Sequence, residues 1–290
     1  PMSGLVVRDV RGRTFDADRP FRRIVSLVPA ITESFFDLGL ASHLVGRSEE
    51  CLYPAGRVAS VPTVGKKQAP DLTRIRALAP DLVIASPTEN RLPDLRRLEA
   101  MGLPVFLIHP RGVHETLTML WDLATLTGGI AEAGPRIQAL ERACDWTQAA
   151  SQARPPVPVF VPIQRDPWMT FSAGTYAHEL LALCGGENVF GDWGELSPDS
   201  RQPRHTFPIT LDEMASLAPE VILLPGGCYP FGEEDKAAFA NYTEVPAVRS
   251  HRIHLIDGSL LFWAGTRLAK ALTELPPLLG PSPGFPDDPP

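Results

Sequence analysis

Cysteine is scarce in this sequence, and the few cysteines are scattered. The 290 residues include four of them, Cys51, Cys144, Cys184 and Cys228, and no two form a C-x-x-C pair. This spacing excludes the usual patterns of a zinc knuckle or a thioredoxin-type redox site. Four scattered cysteines also give no disulfide framework, so we expect free thiols buried in the fold.

Long apolar runs and an excess of positive charge are also missing. No stretch of about 18 uncharged apolar residues occurs, so the sequence predicts no membrane-spanning helix. Lysine and arginine number 27 against 34 aspartates and glutamates, which gives a formal net charge of -7. Because binding to nucleic acid requires a basic face, we expect no nucleic-acid partner.

The motifs of common catalytic sites are absent from the sequence. It contains no G-x-S-x-G motif, no P-loop and no dinucleotide-binding fingerprint, so we predict no catalytic residue and no catalytic cofactor. The seven histidines form no metal-binding pattern, and we predict no metal site built by the protein. His205, near Phe207 in an irregular stretch, has two interpretations: a solvated loop residue, or a side chain that touches the metal centre of a ligand.

The sequence does contain a phrase that occurs twice. Residues 75–84 read IRALAPDLVI and residues 214–223 read MASLAPEVIL. Each copy fits the end of an amphipathic helix, a Pro-acid turn, and an apolar run suited to a buried parallel strand. The repeat predicts two similar α/β lobes, with a cleft between them of the kind in which small molecules bind. The alternative is coincidence, because this junction is common in α/β proteins.

Helices alternate with short apolar strands along the chain, which is typical of parallel sheets. Thr32 is predicted to cap the first long helix, and the last helix is predicted over residues 265–275. Residues 135–153 form a long helix that is either a rigid spacer between the lobes or a surface helix of the first lobe. The predicted domains are a first lobe (1–130), a linking helix (131–155), a second lobe (156–275) and a disordered proline-rich tail (276–290).

The first residues show no secretory signal. Pro1–Gly4 leads directly into Leu5–Val7 and then charged residues, without the basic and apolar regions of a signal peptide. Two locations stay open. The cytoplasm is expected if Met2 is the natural start, and the cell envelope if a leader preceded these residues.

A series of short phrases, in a fixed order, resembles one known family. They cover about residues 5–275, and the matching segments are 23–33 (RIVSLVPAITE), 38–39 (LG), 45–46 (VG), 53–54 (YP), 61–65 (VPTVG), 78–85 (LAPDLVIA), 184–190 (CGGENVF) and 217–222 (LAPEVI). On these phrases the chain resembles the helical-backbone class (class III) of periplasmic substrate-binding proteins of ABC importers. The phrases SLxPxxTE and CGGEN are most similar to its cobalamin-binding branch.

The resemblance implies an α/β fold of two Rossmann-like lobes with parallel sheets, joined by a single long helix, with the ligand in the cleft and little hinge closure. It also implies that loops at the carboxyl ends of the strands face the ligand, as in open α/β sheets generally. The candidate ligand-binding residues on these loops are Pro29, Ala30, Ile31, Cys51, Val64, Gly65, Lys66, Ser86, Trp168, Phe171, Phe207, Gly227, Tyr229, Phe262 and Trp263. The family's first-lobe aromatic residue falls near positions 64–66, where this chain has none.

Cobalamin or a related corrinoid is the bound ligand that the resemblance implies. A corrin is an apolar disc edged with amides, and it suits broad rigid surfaces such as aromatic rings. Two alternatives stay open: a receptor for a ferric siderophore or haem, and a cytosolic protein or enzyme that handles corrinoids on the same scaffold. An anionic siderophore would favour basic residues around the cleft, and only Lys66, Lys67 and Arg165 are obvious candidates.

Members of the family dock on a membrane permease through one exposed carboxylate on each lobe. Asp212 or Glu213 fits that role in the second lobe. In the first lobe the matching position is Thr73, with Asp71 nearby, and a neutral threonine cannot form a charge-assisted pair with an arginine. We expect a monomer that binds a small molecule, with an ABC permease as partner and the periplasm or cell envelope as location; the cytoplasm is the alternative.

Overall fold

Two units, each with its own parallel sheet, make up the computed structural model, which describes residues 4–195, 205–227 and 229–281. The first unit is drawn from Pro1–Pro110, His114–Glu141 and Trp263–Arg267. The second is drawn from Arg111–Val113, Arg142–Phe262 and Leu268–Pro290. In the described ranges, no helix is both long and apolar enough to cross a membrane.

Short strands and helices alternate along the chain. The strands are β1 Val6–Arg8, β2 Thr14–Asp16, β3 Ile24–Ser26, β4 Leu44–Arg47, β5 Gly65–Lys66, β6 Ala69–Pro70, β7 Leu82–Ala85, β8 Val105–Leu107, β9 Val157–Phe160, β10 Met169–Phe171, β11 Gly186–Asn188, β12 Thr206–Pro208, β13 Val221–Gly226 and β14 Ile253–Asp257. The α-helices are α1 Pro29–Asp37, α2 Leu72–Ala77, α3 Leu92–Ala100, α4 Val113–Leu126, α5 Ile130–Gln152, α6 Tyr176–Leu183, α7 Leu211–Ser216, α8 Pro246–Arg249, α9 Ser259–Phe262 and α10 Leu268–Glu274. Short 3-10 helices cover Ala41–His43, Val58–Ser60, Trp193–Glu195, Glu233–Phe239 and Pro276–Leu279.

The main sheets of the two units have the same strand order. In the first unit the order is β4-β3-β7-β8, and in the second it is β11-β9-β13-β14. All neighbouring strands in both sheets are parallel. In each sheet the first strand along the chain lies between the second and the third. The prediction of two α/β lobes with parallel sheets is therefore confirmed.

The repeated phrase has the same structure in both units. It joins α2 to β7 in the first unit and α7 to β13 in the second. The alanine before the proline is left-handed in each copy, with φ of 46° at Ala79 and 48° at Ala218. The acidic residue then donates its backbone N–H to a carbonyl at the start of the sheet's first strand. Asp81 donates to Arg23, just before β3, and Glu220 donates to Pro158, within β9, both at 2.8 Å. The repeat therefore places the third strand beside the first.

Apolar side chains from the central strands form the core of each unit. In the first unit, Val25 and Val83 pack with Ile75 from α2 and Leu98 from α3. In the second unit the corresponding cluster is rich in aromatic rings and includes Phe160, Phe190, Met214, Ile222 and Phe239. Burying an aliphatic or phenyl side chain of this size contributes about 1.5–3 kcal/mol, so these clusters hold the helices against the sheets.

Helix α1 begins earlier than the sequence predicted. Its N-cap is Val28, Pro29 is the first helical residue, and Thr32 is fully buried inside the helix. The predicted capping role of Thr32 is therefore wrong. A proline at the first helical position has a suitable φ and lacks an N–H that would have no partner there, so it starts the helix without a polar cap.

The C-terminal part of the chain also differs from the prediction. Residues 263–267 are not helical and cluster with the first unit, so the last helix starts at Leu268. The tail predicted to be disordered from residue 276 begins with the 3-10 helix Pro276–Leu279, and Leu279 is fully buried. The rest of that prediction, for residues 282–290, lies outside the described residues.

One long helix and three small antiparallel strand pairs lie outside the two main sheets. Helix α5 has 23 residues with Pro135 inside it, and the boundary between the two units falls within it, between Glu141 and Arg142. Antiparallel pairs β1–β2, β5–β6 and β10–β12 were not predicted. The last two carry candidate ligand-binding residues.

The shared left-handed alanines give a stability prediction. A Cβ in this conformation costs about 1–2 kcal/mol, more than the entropy that glycine adds to the unfolded chain. We expect Ala79→Gly and Ala218→Gly each to raise the free energy of unfolding by about 0.5–1 kcal/mol in urea denaturation. Ala215→Gly, inside α7, is the control and should lower it by about 1 kcal/mol. Destabilisation by all three variants would contradict the prediction.

Candidate functional site

In the first unit, the carboxyl edge of the sheet is held together by one buried amide. The Asn90 side chain donates to the carbonyls of Leu27 (3.1 Å) and Lys67 (3.0 Å), and it accepts from the N–H of Ser86 (2.8 Å). These three residues lie after β3, in the β5–β6 hairpin and after β7. Asn90 is 5% exposed, so its buried side chain links these three loops to one another.

A cluster of two charged and two aromatic side chains lies at the same edge. Arg267 donates to Glu33 in α1 through Nε and Nη2, both at 2.9 Å. The guanidinium carbon lies 4.3 Å from the ring centre of Tyr53 and 4.7 Å from that of Trp263. The two rings meet edge to face, 5.8 Å apart. The cluster joins the loop after β4, helix α1 and the segment after α9.

The segment after α9 is bound closely to α1. A Cβ on Gly265 would lie 2.6 Å from Ser34 Oγ and 3.0 Å from the carbonyl oxygen of Ala30, so only glycine fits. Thr266 donates its N–H to Ser34 Oγ (3.0 Å) and its hydroxyl to Asp37 (2.7 Å). These contacts explain why Trp263 belongs to the first unit although it follows the last strand of the second.

Several candidate residues of the first unit are buried. Ile31, Cys51 and Val64 have 0% exposure, and the Cys51 thiol contacts the hydroxyls of Thr32 and Ser48, both at 3.1 Å. Burial raises the pKa of that thiol. A fully buried side chain has no surface for a ligand, so in this structure these three side chains do not face solvent at the edge.

The other first-unit candidates divide into two groups. Pro29, Ala30 and Ser86 are also buried, and their side chains offer little surface. Gly65 is half-buried and Lys66 is exposed on the β5–β6 hairpin. These two, with Trp263, keep surface at the edge of the sheet.

At the carboxyl edge of the second unit, aromatic rings pack in two groups. Trp168 stacks on Phe231 at 6.2 Å, and Tyr229 lies 4.6 Å from Phe231. In the other group Phe207, on β12, stacks on Trp193 at 6.4 Å. Trp168, Tyr229 and Phe207 pack partly buried against the core and keep part of their surface. The core supports these rings from one side.

The remaining candidates of the second unit are of mixed exposure. Phe171 is 2% exposed and packs edge to face with Phe262, so its side chain offers almost no surface, whereas Phe262 is half-buried. Gly227 is exposed and left-handed, with φ of 91°. Its neighbour Cys228, predicted to be a buried thiol, lies outside the described residues.

Arg165 is the main cation at this edge, and it is paired. Its guanidinium is 2.6 Å from Asp235 and 3.5 Å from Asp166, and it lies over the Trp168 ring at 5.8 Å. The backbone N–H of Gly232, together with Arg165, lowers the pKa of Asp235. The carboxylate therefore stays ionised and compensates the charge of Arg165.

His205 is partly exposed, and one nitrogen of its ring is hydrogen-bonded. Its Nδ1 donates to the carbonyl of Ala173 at 2.9 Å, because a carbonyl oxygen can only accept. The ring packs on Gly174, where a Cβ would lie 2.6 Å from a ring carbon. In the ranges that the structure describes, no three His, Cys, Asp or Glu side chains are grouped so that they could hold a metal ion.

The candidate docking carboxylates lie at the first turns of two equivalent helices. Asp71 caps α2 by accepting from the N–H of Arg74 (3.0 Å), and Glu213 accepts from the N–H of Thr210 (2.7 Å) at the start of α7. Asp212 is exposed and accepts from the hydroxyl of Tyr242 (3.0 Å).

Sequence comparison identifies the family. Residues 24–260 match the family described as periplasmic binding protein. The chain belongs to that family. Members of this family are binding proteins.

Individual relatives agree with this assignment. A vitamin B12-binding protein of Vibrio campbellii is 24% identical over 267 residues, which is 89% of this chain and 90% of the relative. Among solved structures, the periplasmic vitamin B12-binding protein BtuF of Vibrio cholerae superposes with a TM-score of 0.74 at 22% identity, covering 90% of this chain and 97% of that one. The haem-binding protein RhuT of Roseiflexus gives the same TM-score and identity, covering 89% and 97%. These structures share the fold of this chain.

The three hydrogen bonds of the Asn90 side chain lead to a prediction about stability. Asn90→Ala removes three hydrogen bonds and leaves buried backbone groups without a partner, so we expect the free energy of unfolding to fall by about 2–4 kcal/mol. Asn241→Ala, at an exposed asparagine, is the control and should change it by less than about 0.5 kcal/mol. Equal effects of the two variants in urea denaturation would contradict the role of Asn90.

Proposed function

We propose that this chain binds cobalamin or a related corrinoid, without catalysis, as the binding component of an ABC-type importer. The observation that carries the proposal is the chemistry of the strand edges, where flat aromatic surfaces accompany cations that are paired with carboxylates. The vitamin B12-binding relatives, aligned along nearly the whole chain, support the same ligand.

The aromatic surfaces suit a broad apolar ligand. Tyr53 is 40% exposed and lies against Trp263 in the first unit. Phe207 and Trp168 are each supported from below by another ring in the second unit. Rigid rings bury much area and lose little conformational entropy when a ligand binds. These residues supply the contact area, in place of the buried side chains of Cys51 and Val64.

The charges favour a ligand with a neutral rim. Arg165 is paired with Asp235 at 2.6 Å, Lys67 with Glu89 at 3.2 Å and Arg267 with Glu33 at 2.9 Å. A cation that is already paired with a carboxylate adds little electrostatic attraction for an anionic ligand. Amides, in contrast, hydrogen-bond to neutral and charged groups alike. The edges therefore suit the amide rim of a corrin better than the carboxylates of haem or an anionic siderophore.

A haem or ferric-siderophore receptor is the alternative. Two features favour it: Lys66 is exposed on its hairpin, and His205 is held through Nδ1, so Nε2 is the ring nitrogen that would meet a metal centre. Structural neighbours that bind haem share the fold. One lysine and one imidazole are a small set for a ligand with several carboxylates, so we place this function second.

We further propose that the protein works in the periplasm or cell envelope with an ABC permease. Asp212 and Glu213, at the first turn of α7, are the docking carboxylates of the second unit. In the first unit Asp71 is the corresponding carboxylate, beside the exposed Thr73 and Arg74. The family supports this location, and the comparisons give no support to a cytoplasmic role.

The binding proposal is tested by calorimetry. Titration of the purified protein with cyanocobalamin should show one site per chain with a Kd of about 1 µM or tighter, near 8 kcal/mol of binding free energy. An anionic ferric siderophore titrated in parallel should bind at least about tenfold more weakly. The reason is that the cations it would pair with are already bonded to carboxylates of the protein. No heat with cyanocobalamin, together with tight binding of the siderophore, would overturn the proposal.

Two aromatic residues give a mutational test. Trp263→Ala and Phe207→Ala should each weaken cyanocobalamin binding by about 1–3 kcal/mol, the usual cost of losing a buried aromatic contact. Trp146→Ala is the matched control, because Trp146 is 76% exposed on α5, and it should leave the Kd unchanged. A variant whose melting temperature falls while its affinity stays that of wild type would identify that ring as part of the core.

A further inference from the structure

We propose that Arg267 is a positioning residue: its guanidinium, fixed by Glu33, holds the rings of Tyr53 and Trp263 in the orientation in which they meet the ligand. This inference rests on the proposed function, since it concerns the ligand surface of the first unit. No sequence pattern predicts Arg267 as a ligand residue.

Burial shows that Arg267 acts through other groups. Its side chain is 5% exposed and that of Glu33 is 13% exposed, so the ion pair offers almost no surface to a ligand. Tyr53 and Trp263 both keep accessible surface. The charged pair therefore lies beneath the rings, and any effect on binding passes through them.

Geometry shows why an arginine is needed. Glu33 accepts from both Nε and Nη2 of Arg267, and two parallel hydrogen bonds fix the plane of the guanidinium. Both ring centres lie within 5 Å of the guanidinium carbon, at 4.3 and 4.7 Å, well inside the range of cation–π attraction. A lysine keeps the charge but is a point charge without a plane, so it cannot hold two rings at a fixed angle.

The consequence for function is pre-organisation. Side chains that are ordered before the ligand arrives do not lose rotamer freedom on binding, and affinity is higher for that reason. Loosening the rings should therefore weaken binding even though no ligand contact is removed. It should also increase the access of small solutes to the Trp263 ring in the ligand-free protein.

The experiment compares Arg267→Lys with Arg11→Lys. Arg11 is a matched control, because it lies in the same unit and is bonded to the carboxylates of Asp9 and Glu99. Each variant is made in the wild-type and the Trp263→Phe background, so that the emission of Trp263 is obtained by difference among the five tryptophans. Arg267→Lys is also made in the Trp263→Ala background, for the affinity measurement alone. Acrylamide quenching is measured without ligand, and cyanocobalamin affinity is measured by calorimetry.

Arg267→Lys should weaken cyanocobalamin binding by about tenfold, the size expected for lost cation–π contacts, and should increase quenching of Trp263. In the Trp263→Ala background the same substitution should weaken binding by less than about threefold, because the positioned ring is gone. Arg11→Lys should change neither quantity. If Arg267→Lys changes stability but neither the quenching nor the affinity, Arg267 is only structural and the inference is wrong.

A second variant covers the case in which Arg267→Lys does not fold. Glu33→Gln keeps the arginine and one hydrogen-bond acceptor, and it should increase quenching of Trp263 and weaken binding in the same direction. Unchanged quenching and affinity in Glu33→Gln would overturn the inference. If the wild-type protein does not bind cyanocobalamin, the proposed function fails, while the quenching of the ligand-free variants still tests whether Arg267 orders the ring.

Discussion

The ion pair between Glu33 and Arg267 is the interaction on which the first unit's candidate ligand surface depends. Its partners are 234 positions apart in the sequence, and it fixes the segment after α9 against α1. Burying two charges costs several kcal/mol per ion, which only good geometry and further hydrogen bonds offset. Here the bidentate contact and two ring faces supply that compensation. The pair thus supports Trp263 beside Tyr53, together with the contacts of Gly265 and Thr266 to α1.

The two units show how one topology supports two different surfaces. Both sheets have the same strand order, and both carry a left-handed alanine before the proline that precedes the third strand. At the carboxyl edge the side chains differ. The first unit has a buried amide, Asn90, beneath its loops, and its rings are held by a charged pair. The second unit has rings such as Trp168 and Phe207 that are supported by the aromatic core.

Sequence patterns predicted the fold well, but they do not determine which side chains of the candidate site keep accessible surface. The repeated phrase and the alternation of helices with apolar runs predicted both sheets, because each depends on local periodicity. Ile31, Cys51 and Val64 were placed at the ligand edge because they follow strands, but a position after a strand does not determine which way a side chain points. The Arg267 cluster was missed because its contacts join residues that are distant in sequence, and no local pattern carries that information.

Charge compensation is the property that distinguishes the proposed ligand from its rivals, because the fold is shared with haem-binding proteins. The most direct test is a competition. The protein is mixed with equimolar cyanocobalamin and haemin, passed through a gel-filtration column, and the absorption spectrum of the protein fraction is recorded. Our account predicts the spectrum of cobalamin at about one equivalent per chain, as expected when one ligand binds at least about tenfold more tightly. A protein fraction that carries haem and no cobalamin would contradict it.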